Sequence, residues 1–224
     1  MRITLRKSLL RQHHAVLAAF LLTAGPAMAE GNYYLKGHAG FSIAQDNDFG
    51  QTGVAATGAS GDGNYGSGFA TGAALGYRYG NGFSAEIDWE YRSNDNDSIT
   101  FSDGTSYSEG NLASNTFFVN GFYTFQAAFD NVRPYIGAGI GWVQEIDLDI
   151  EAAGIETSYT GDSEIAWQLM TGLETTFNTD WRLQGELRYT RIADVDLEQE
   201  SGPGRITGLD YDTWTIGLNL IYDF

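Results

Sequence analysis

The sequence has 224 residues, with 12 basic and 29 acidic side chains and a formal net charge of −17. An acidic chain with no basic patch argues against nucleic-acid binding. The absence of cysteine excludes disulfide bonds, and the length fits one domain.

Residues 1–29 have the features of a cleaved secretory signal. Arg2, Arg6, Lys7 and Arg11 precede a short apolar run at 15–24, and Ala-Met-Ala at 27–29 forms a small-x-small cleavage site. The run is too short to cross a bilayer as a helix. We expect a mature chain that starts at Glu30. It loses four of the 12 basic residues and none of the acidic ones, so its net charge is −21.

Eight later segments alternate apolar and polar residues with a period of two. This period predicts β-strands that each have one apolar face and one polar face. The apolar face of 83–91, for example, carries Phe83, Ala85, Ile87, Trp89 and Tyr91. The predicted strands are 33–43, 69–79, 83–92, 116–125, 134–143, 167–177, 181–190 and 214–224.

The connections between these strands alternate strictly between long and short. Short turns are predicted at 80–82, 126–132 and 178–180, and long polar loops at 44–67, 93–112, 145–164 and 192–212. Outer-membrane barrels of bacteria have short periplasmic turns and long extracellular loops. We therefore predict an all-β, eight-stranded, antiparallel, up-and-down transmembrane β-barrel over 30–224, with both termini in the periplasm.

The outward aromatic residues sort into two heights under this orientation. Aromatic rings favour the membrane interfaces, so two girdles are predicted. The girdle near the long loops comprises Phe41, Phe69, Trp89, Phe117, Trp142, Trp167, Tyr189 and Trp214. The girdle near the short turns comprises Tyr33, Tyr79, Phe83, Phe125, Phe177, Trp181 and Phe224.

Four features can be compared with known families: the signal, the segment PYIGAGIGW at 134–142, the segment WQLMTG at 167–172 and the terminal YDF at 222–224. In this order they resemble the small eight-stranded outer-membrane barrels, a family that includes OmpA-like transmembrane domains, Opa-type opacity proteins and related surface antigens. The resemblance implies a cell outer-membrane location in a Gram-negative bacterium, in contact with outer-membrane lipid and lipopolysaccharide. It also implies that the outer-membrane assembly machinery recognises the terminal aromatic Phe224, with Trp214 and Tyr222 on the same face.

The polar faces carry a balanced set of charges that should point into the lumen. Buried charges must be paired, so five bases and five acids predict an ion-pair network that plugs the barrel. A gated ion path through rearranged pairs is the alternative. The predicted network comprises Lys36, Arg78, Glu86, Asp88, Glu90, Arg92, Glu174, Arg182, Glu186 and Arg188.

These patterns favour a structural and surface-presenting protein over a small or gated channel. A lipid A-modifying enzyme is the third reading, because such chemistry needs a base beside a nucleophile. His38 is the single histidine after the signal, but Ala39 and Gly40 follow it, so the His-x-Ser pattern of the deacylases is lacking. A hydrogen-bonded lumen histidine is favoured, with no catalytic residue, cofactor or metal. A periplasmic lipocalin-type barrel is disfavoured because its apolar face should point inward.

The four long loops hold 20 acidic residues, and Arg205 is their only base. The simpler reading is a solvated, repulsive surface on a monomer. The sharper reading is that the loops bind divalent cations beside lipopolysaccharide phosphates, or a host or surface ligand. Acidic and apolar residues alternate over 145–151, which predicts a hairpin that extends beyond the membrane.

Overall fold

The computed structural model describes residues 31–52, 60–126, 131–152, 155–162 and 164–224. The predicted signal peptide and Glu30 lie outside these residues. Within these ranges, no helix is long and apolar enough to cross a membrane. The described residues form eleven β-strands: β1 (Asn32–Ala44), β2 (Asn47–Thr52), β3 (Ser60–Arg78), β4 (Phe83–Phe101), β5 (Ser106–Tyr107), β6 (Glu109–Thr124), β7 (Val132–Ala152), β8 (Ile155–Gly161), β9 (Ile165–Thr176), β10 (Trp181–Gln199) and β11 (Arg205–Asp223).

Eight of these strands close into a ring. Each strand of this ring pairs with the next in antiparallel fashion, in the order β1, β3, β4, β6, β7, β9, β10 and β11, and β11 pairs with β1. The closing seam runs from Tyr34 opposite Asp223 to Ala44 opposite Thr213. The predicted eight-stranded antiparallel barrel is therefore confirmed.

The barrel continues beyond the ends of β1 and β9. The strand β2 follows β1 after a break at 45–46 and pairs with both β11 and β3. In the same way β8 pairs with both β7 and β10 beyond β9. We call the end with the short turns the turn end, and the end beyond β1 and β9 the hairpin end.

The prediction of long polar loops is wrong over most of their length. Strands β3, β4, β10 and β11 each have 19 residues, and β7 has 21. A transmembrane strand needs only about 9–11 residues. The alternating acids and apolar residues of 145–151 lie within β7, which pairs with β8 in antiparallel fashion, so the hairpin predicted there is confirmed. Its extension beyond the membrane stays a prediction.

Inward and outward faces exchange their polarity along the barrel. In the half near the turn end, polar and charged side chains are buried, while large apolar ones such as Leu35 and Ile216 are 52% and 67% exposed on the outside. Near the hairpin end, a cluster of nineteen buried residues, among them Ile99, Leu112, Leu148, Val195 and Leu209, fills the interior. Acidic residues lie on the outer surface there.

β-Bulges produce this exchange. The pairing of β6 with β7 shifts between Val143 and Glu145, so one extra residue lets Ile146 and Leu148 point inward after Val143. Without it, Glu145 and Asp147 would take the inward face. Shifts also occur between β3 and β4 and between β10 and β11, where Asp194 has φ 59° and Gly208 has φ 68°.

Candidate functional site

The lumen near the turn end contains the charged residues predicted from the sequence. Nine of the ten are no more than 6% exposed, because their strands place them on the inward face. Arg78 lies at the turn-end mouth, and its side chain is 27% exposed. The nine buried members are Lys36, Glu86, Asp88, Glu90, Arg92, Glu174, Arg182, Glu186 and Arg188.

A central cluster surrounds the guanidinium of Arg188. Its Nη2 donates to Glu186 at 2.8 Å, and its Nη1 contacts Glu90 and lies 3.7 Å from Asp88. The neighbouring Arg92 donates from Nη2 to the other carboxylate oxygen of Glu90 at 2.5 Å. Two cations thus share one carboxylate, and Arg188 faces three acids.

Two further pairs complete the central cluster. Lys36 pairs with Glu86, and His38 Nε2 lies 3.0 Å from Asp88 Oδ1. The amide of Asn120 donates to Glu86 at 3.1 Å. His38 is therefore a buried, hydrogen-bonded lumen residue, as favoured from the sequence.

A second cluster lies at the turn end around Arg182. This guanidinium donates to Glu174 at 2.5 Å and to both oxygens of Asp223 at 2.7 and 2.9 Å. Arg78 Nη2 lies 2.9 Å from Asp223, and Arg133 Nη2 lies 3.6 Å from Glu174. Arg78 therefore pairs with an acid that was not among the five predicted.

Asp223 and Arg133 are the two charged residues that the sequence reading missed. Asp223 has the same phase as the inward Asn219, and Arg133 has the same phase as Tyr135. Extending both alternations to the strand ends would have found them. With them the network gains one acid and one base, so the charges stay balanced at six and six.

Neutral side chains connect the two clusters. The hydroxyls of Tyr34 and Tyr135 donate to Glu86 and Glu186 at 2.9 and 2.8 Å. Asn219 donates to Gln184 at 3.0 Å and to Glu186 at 3.2 Å, and Gln184 donates to Glu174 of the turn-end cluster at 3.0 Å. Because a buried polar group costs free energy unless it is hydrogen-bonded, such connections are what a charged interior requires.

The lumen narrows sharply above the turn-end mouth. The mouth is a cavity of about 330 Å³ whose lining includes Arg78, Arg133 and Glu174. The next space inward, between Tyr34 and Arg182, measures only about 10 Å³, which is about enough for one water molecule. Beyond the charged clusters the apolar core fills the hairpin end, so two chemically different layers obstruct the interior.

Some of the predicted girdle residues make aromatic ring contacts at each end of the lipid-facing surface. Near the hairpin end, Tyr189 contacts Trp167 and Trp214 with ring centroids 5.4 and 5.0 Å apart. Near the turn end, Tyr33 lies 6.3 Å from Phe224, which stacks in turn on Tyr222. The backbone N–H of Phe224 donates to the carbonyl of Tyr33 at 3.0 Å and extends the seam. The other predicted members, Phe41, Phe69, Trp89, Phe117, Trp142, Tyr79, Phe83, Phe125, Phe177 and Trp181, are all exposed or partly exposed.

The acidic surface near the hairpin end has local charge repulsion. Partial burial and the neighbouring Asp149 raise the pKa of Asp147, although its hydrogen bond with Thr160 lowers it. Within the described ranges, no group of three or more His, Asp or Glu side chains is arranged to hold a metal ion.

Comparisons with known proteins agree with this geometry. The family model described as the outer membrane protein beta-barrel domain matches residues 15–224. No curated protein matches the sequence significantly. The structure of OprG from Pseudomonas aeruginosa is similar, with a TM-score of 0.60 and 12% identity over 87% of this chain and 96% of OprG. Neisserial surface protein A gives a TM-score of 0.52 and 13% identity, over 88% of this chain and 100% of that protein.

Proposed function

Because the chain belongs to the outer membrane protein β-barrel family, we propose that it is a structural and surface-presenting protein of the Gram-negative outer membrane. The observation that carries this proposal is the obstructed lumen. The charged clusters around Arg182 and Arg188 lie in series with the apolar core around Leu148. A protein built this way stabilises the envelope and displays its hairpins.

The proposed orientation places the turn end and both termini in the periplasm and the hairpin end outside the cell. The alternation of short turns and long hairpins supports it. The partners would then be outer-membrane lipid and lipopolysaccharide around a monomeric barrel, and host or surface ligands at the acidic hairpins. The assembly machinery would recognise Phe224 together with Trp214 and Tyr222, which all face outward.

Cysteine labelling on intact cells tests this orientation, since the chain has no cysteine of its own. Ser201→Cys lies in the turn between β10 and β11, and Asn81→Cys lies in the turn between β3 and β4; both positions are exposed. A membrane-impermeant maleimide should label only Ser201→Cys on intact cells and should label both variants after lysis. Labelling of Asn81→Cys alone on intact cells would reverse the proposed orientation.

A small or gated channel is the second candidate, because the charged lumen offers partners for rearranged ion pairs. Planar bilayers distinguish the two candidates. We expect no steady single-channel conductance from the purified protein. Steady conductance that changes in Glu86→Gln or Arg182→Gln would establish the channel instead.

Enzymatic modification of lipid A is the third candidate, and nothing in the lumen favours it. His38 Nε2 lies at hydrogen-bonding distance, 3.0 Å, from the carboxylate of Asp88. We expect the mass of lipid A to be unchanged after incubation with the purified protein. A deacylated or acylated product would make the protein an enzyme.

A further inference from the structure

The turn-end mouth combines open space with cationic side chains. Its cavity of about 330 Å³ is lined by Arg78, Arg133 and Glu174, together with Asn32 and Thr124. This volume is at the lower limit of the usual range for small-molecule sites. The side chains of Arg78 and Arg133 are 27% and 33% exposed, so their guanidiniums reach the open space.

The cations outnumber the acids at this end of the lumen. The acids Glu174 and Asp223 are 1% and 6% exposed, and the fully buried Arg182 engages both of them. Arg78 and Arg133 add two further charges, so among the described residues three cations face two anions. A guanidinium has five N–H donors in a planar fork. Arg78 contacts Asp223 through Nη2, and Arg133 contacts Glu174 and Thr176 through Nη2, so the other N–H groups of both guanidiniums can bind a ligand.

The position of the mouth indicates which anion it would meet. Tyr79 and Phe125 line the cavity and belong to the girdle near the turn end, whose rings mark the level of the lipid headgroups. The rim between β3 and β4 is the turn 80–82, where Gly80 and Gly82 line the cavity without side chains. A headgroup phosphate in the adjacent leaflet is therefore at the same height as the two guanidiniums.

We propose that the turn-end cavity binds a phosphate group through Arg78 and Arg133. The forked guanidinium matches the geometry of phosphate oxygens and can bind them through two parallel hydrogen bonds. The lipid source of this phosphate rests on the membrane position in the proposed function, whereas binding itself does not. A phospholipid headgroup and a soluble phosphate ester present the same chemistry, and the test separates them.

The test is a titration of the folded barrel in a maltoside detergent, which carries no phosphate. The Nε–H signals of the arginines are followed by NMR at constant ionic strength. One arm adds inorganic phosphate and the other adds dihexanoyl phosphatidylglycerol. We expect saturable shifts at Arg78 and Arg133, and a roughly tenfold weaker affinity in Arg133→Gln or Arg78→Gln, since hydrogen bonds to charged groups have about this strength.

Arg205→Gln is the matched control, because this arginine lies at the opposite end of the barrel and its side chain is 48% exposed. Saturation by both probes, or by phosphate alone, supports a site for any accessible phosphate. Saturation by the lipid alone makes a phospholipid the ligand. No saturation in either arm, or equal weakening by Arg205→Gln, overturns the proposal. Heat modifiability confirms folding of each variant, and Arg78→Gln decides the result if Arg133→Gln does not fold.

Discussion

At the scale of single residues, the lumen depends on shared rather than isolated ion pairs. Arg188 is 2% exposed and faces three carboxylates, and Glu90 is shared with Arg92. Removing one member of such a set leaves the others buried without compensation, which costs more than the pair contributes in isolation. Substitution of Arg188 or Glu90, which each contact more than one opposite charge, should therefore lower the stability of the barrel most.

We predict that Arg188→Gln lowers the free energy of unfolding by about 3–5 kcal/mol, because the buried Glu186 loses its cation and Glu90 keeps only Arg92. Tryptophan fluorescence during urea unfolding in lipid vesicles measures the change. The control Arg205→Gln removes an exposed pair with Glu198 and should cost about 0–1 kcal/mol. Equal losses of unfolding free energy in Arg188→Gln and Arg205→Gln would contradict the larger contribution expected from the buried ion pairs of Arg188.

At the scale of elements, the long strands have two distinct halves. Backbone pairing continues past the girdle because β2 and β8 take the places of β1 and β9 in the ring. Strand β7 is paired on both sides there, with β6 and with β8, and buries Ile146 and Leu148. The projecting hairpins are thus ordered by backbone hydrogen bonds and by a hydrophobic core.

We predict slow amide hydrogen exchange across 146–150, close to that of 136–142 in the same strand, since amides in a paired, packed sheet open rarely. Exchange followed by mass spectrometry gives the comparison, with the turn 200–204 as the fast-exchanging reference. Exchange at 146–150 as fast as in that turn would contradict an ordered, packed strand at these residues.

The sequence predicted the eight strands because their alternation is regular between the girdles. Leu183, Gln184 and Gly185 show it directly, with an exposed, a buried and an exposed side chain. Apart from the hairpin at 145–151, it did not predict the strand segments near the hairpin end, because each bulge interrupts the period where the interior becomes apolar. Polar composition then favoured a loop. Bulge positions depend on pairing with a neighbouring strand, which a single segment does not reveal.

At the scale of the whole molecule, acidic charge is concentrated in the half of the barrel near the hairpin end. Glu164 lies there, and partial burial, followed by repulsion from Asp196, Asp194 and Asp162, raises its pKa. A carboxyl group whose pKa is raised by folding binds protons more readily in the folded state. It favours folding fully below its unfolded pKa, and this advantage is lost as the pH rises through the folded pKa.

We predict that the substitution Glu164→Gln makes the stability of the barrel less dependent on pH. The urea midpoint of the natural protein is compared with that of the variant at pH 7.5 and pH 5.0. The variant should gain stability at pH 7.5 and lose this advantage as the pH is lowered. A stability difference that is independent of pH, or one that grows on acidification, would contradict the proposed repulsion.

The strand lengths also set how far the hairpin tips stand from the bilayer. A strand of 19 residues, such as β3, extends about 60 Å, or roughly 45 Å in height at the usual tilt of barrel strands. The apolar band takes about 25 Å of this height, which leaves a stalk of roughly 20 Å on the hairpin side. About 5–8 Å of this stalk lies within the headgroup layer. The remaining distance of roughly 12–15 Å exceeds one Debye length of about 8 Å at physiological salt. The acidic tips are therefore largely screened from anionic headgroups, and a ligand of the kind proposed above would contact them without entering the headgroup layer.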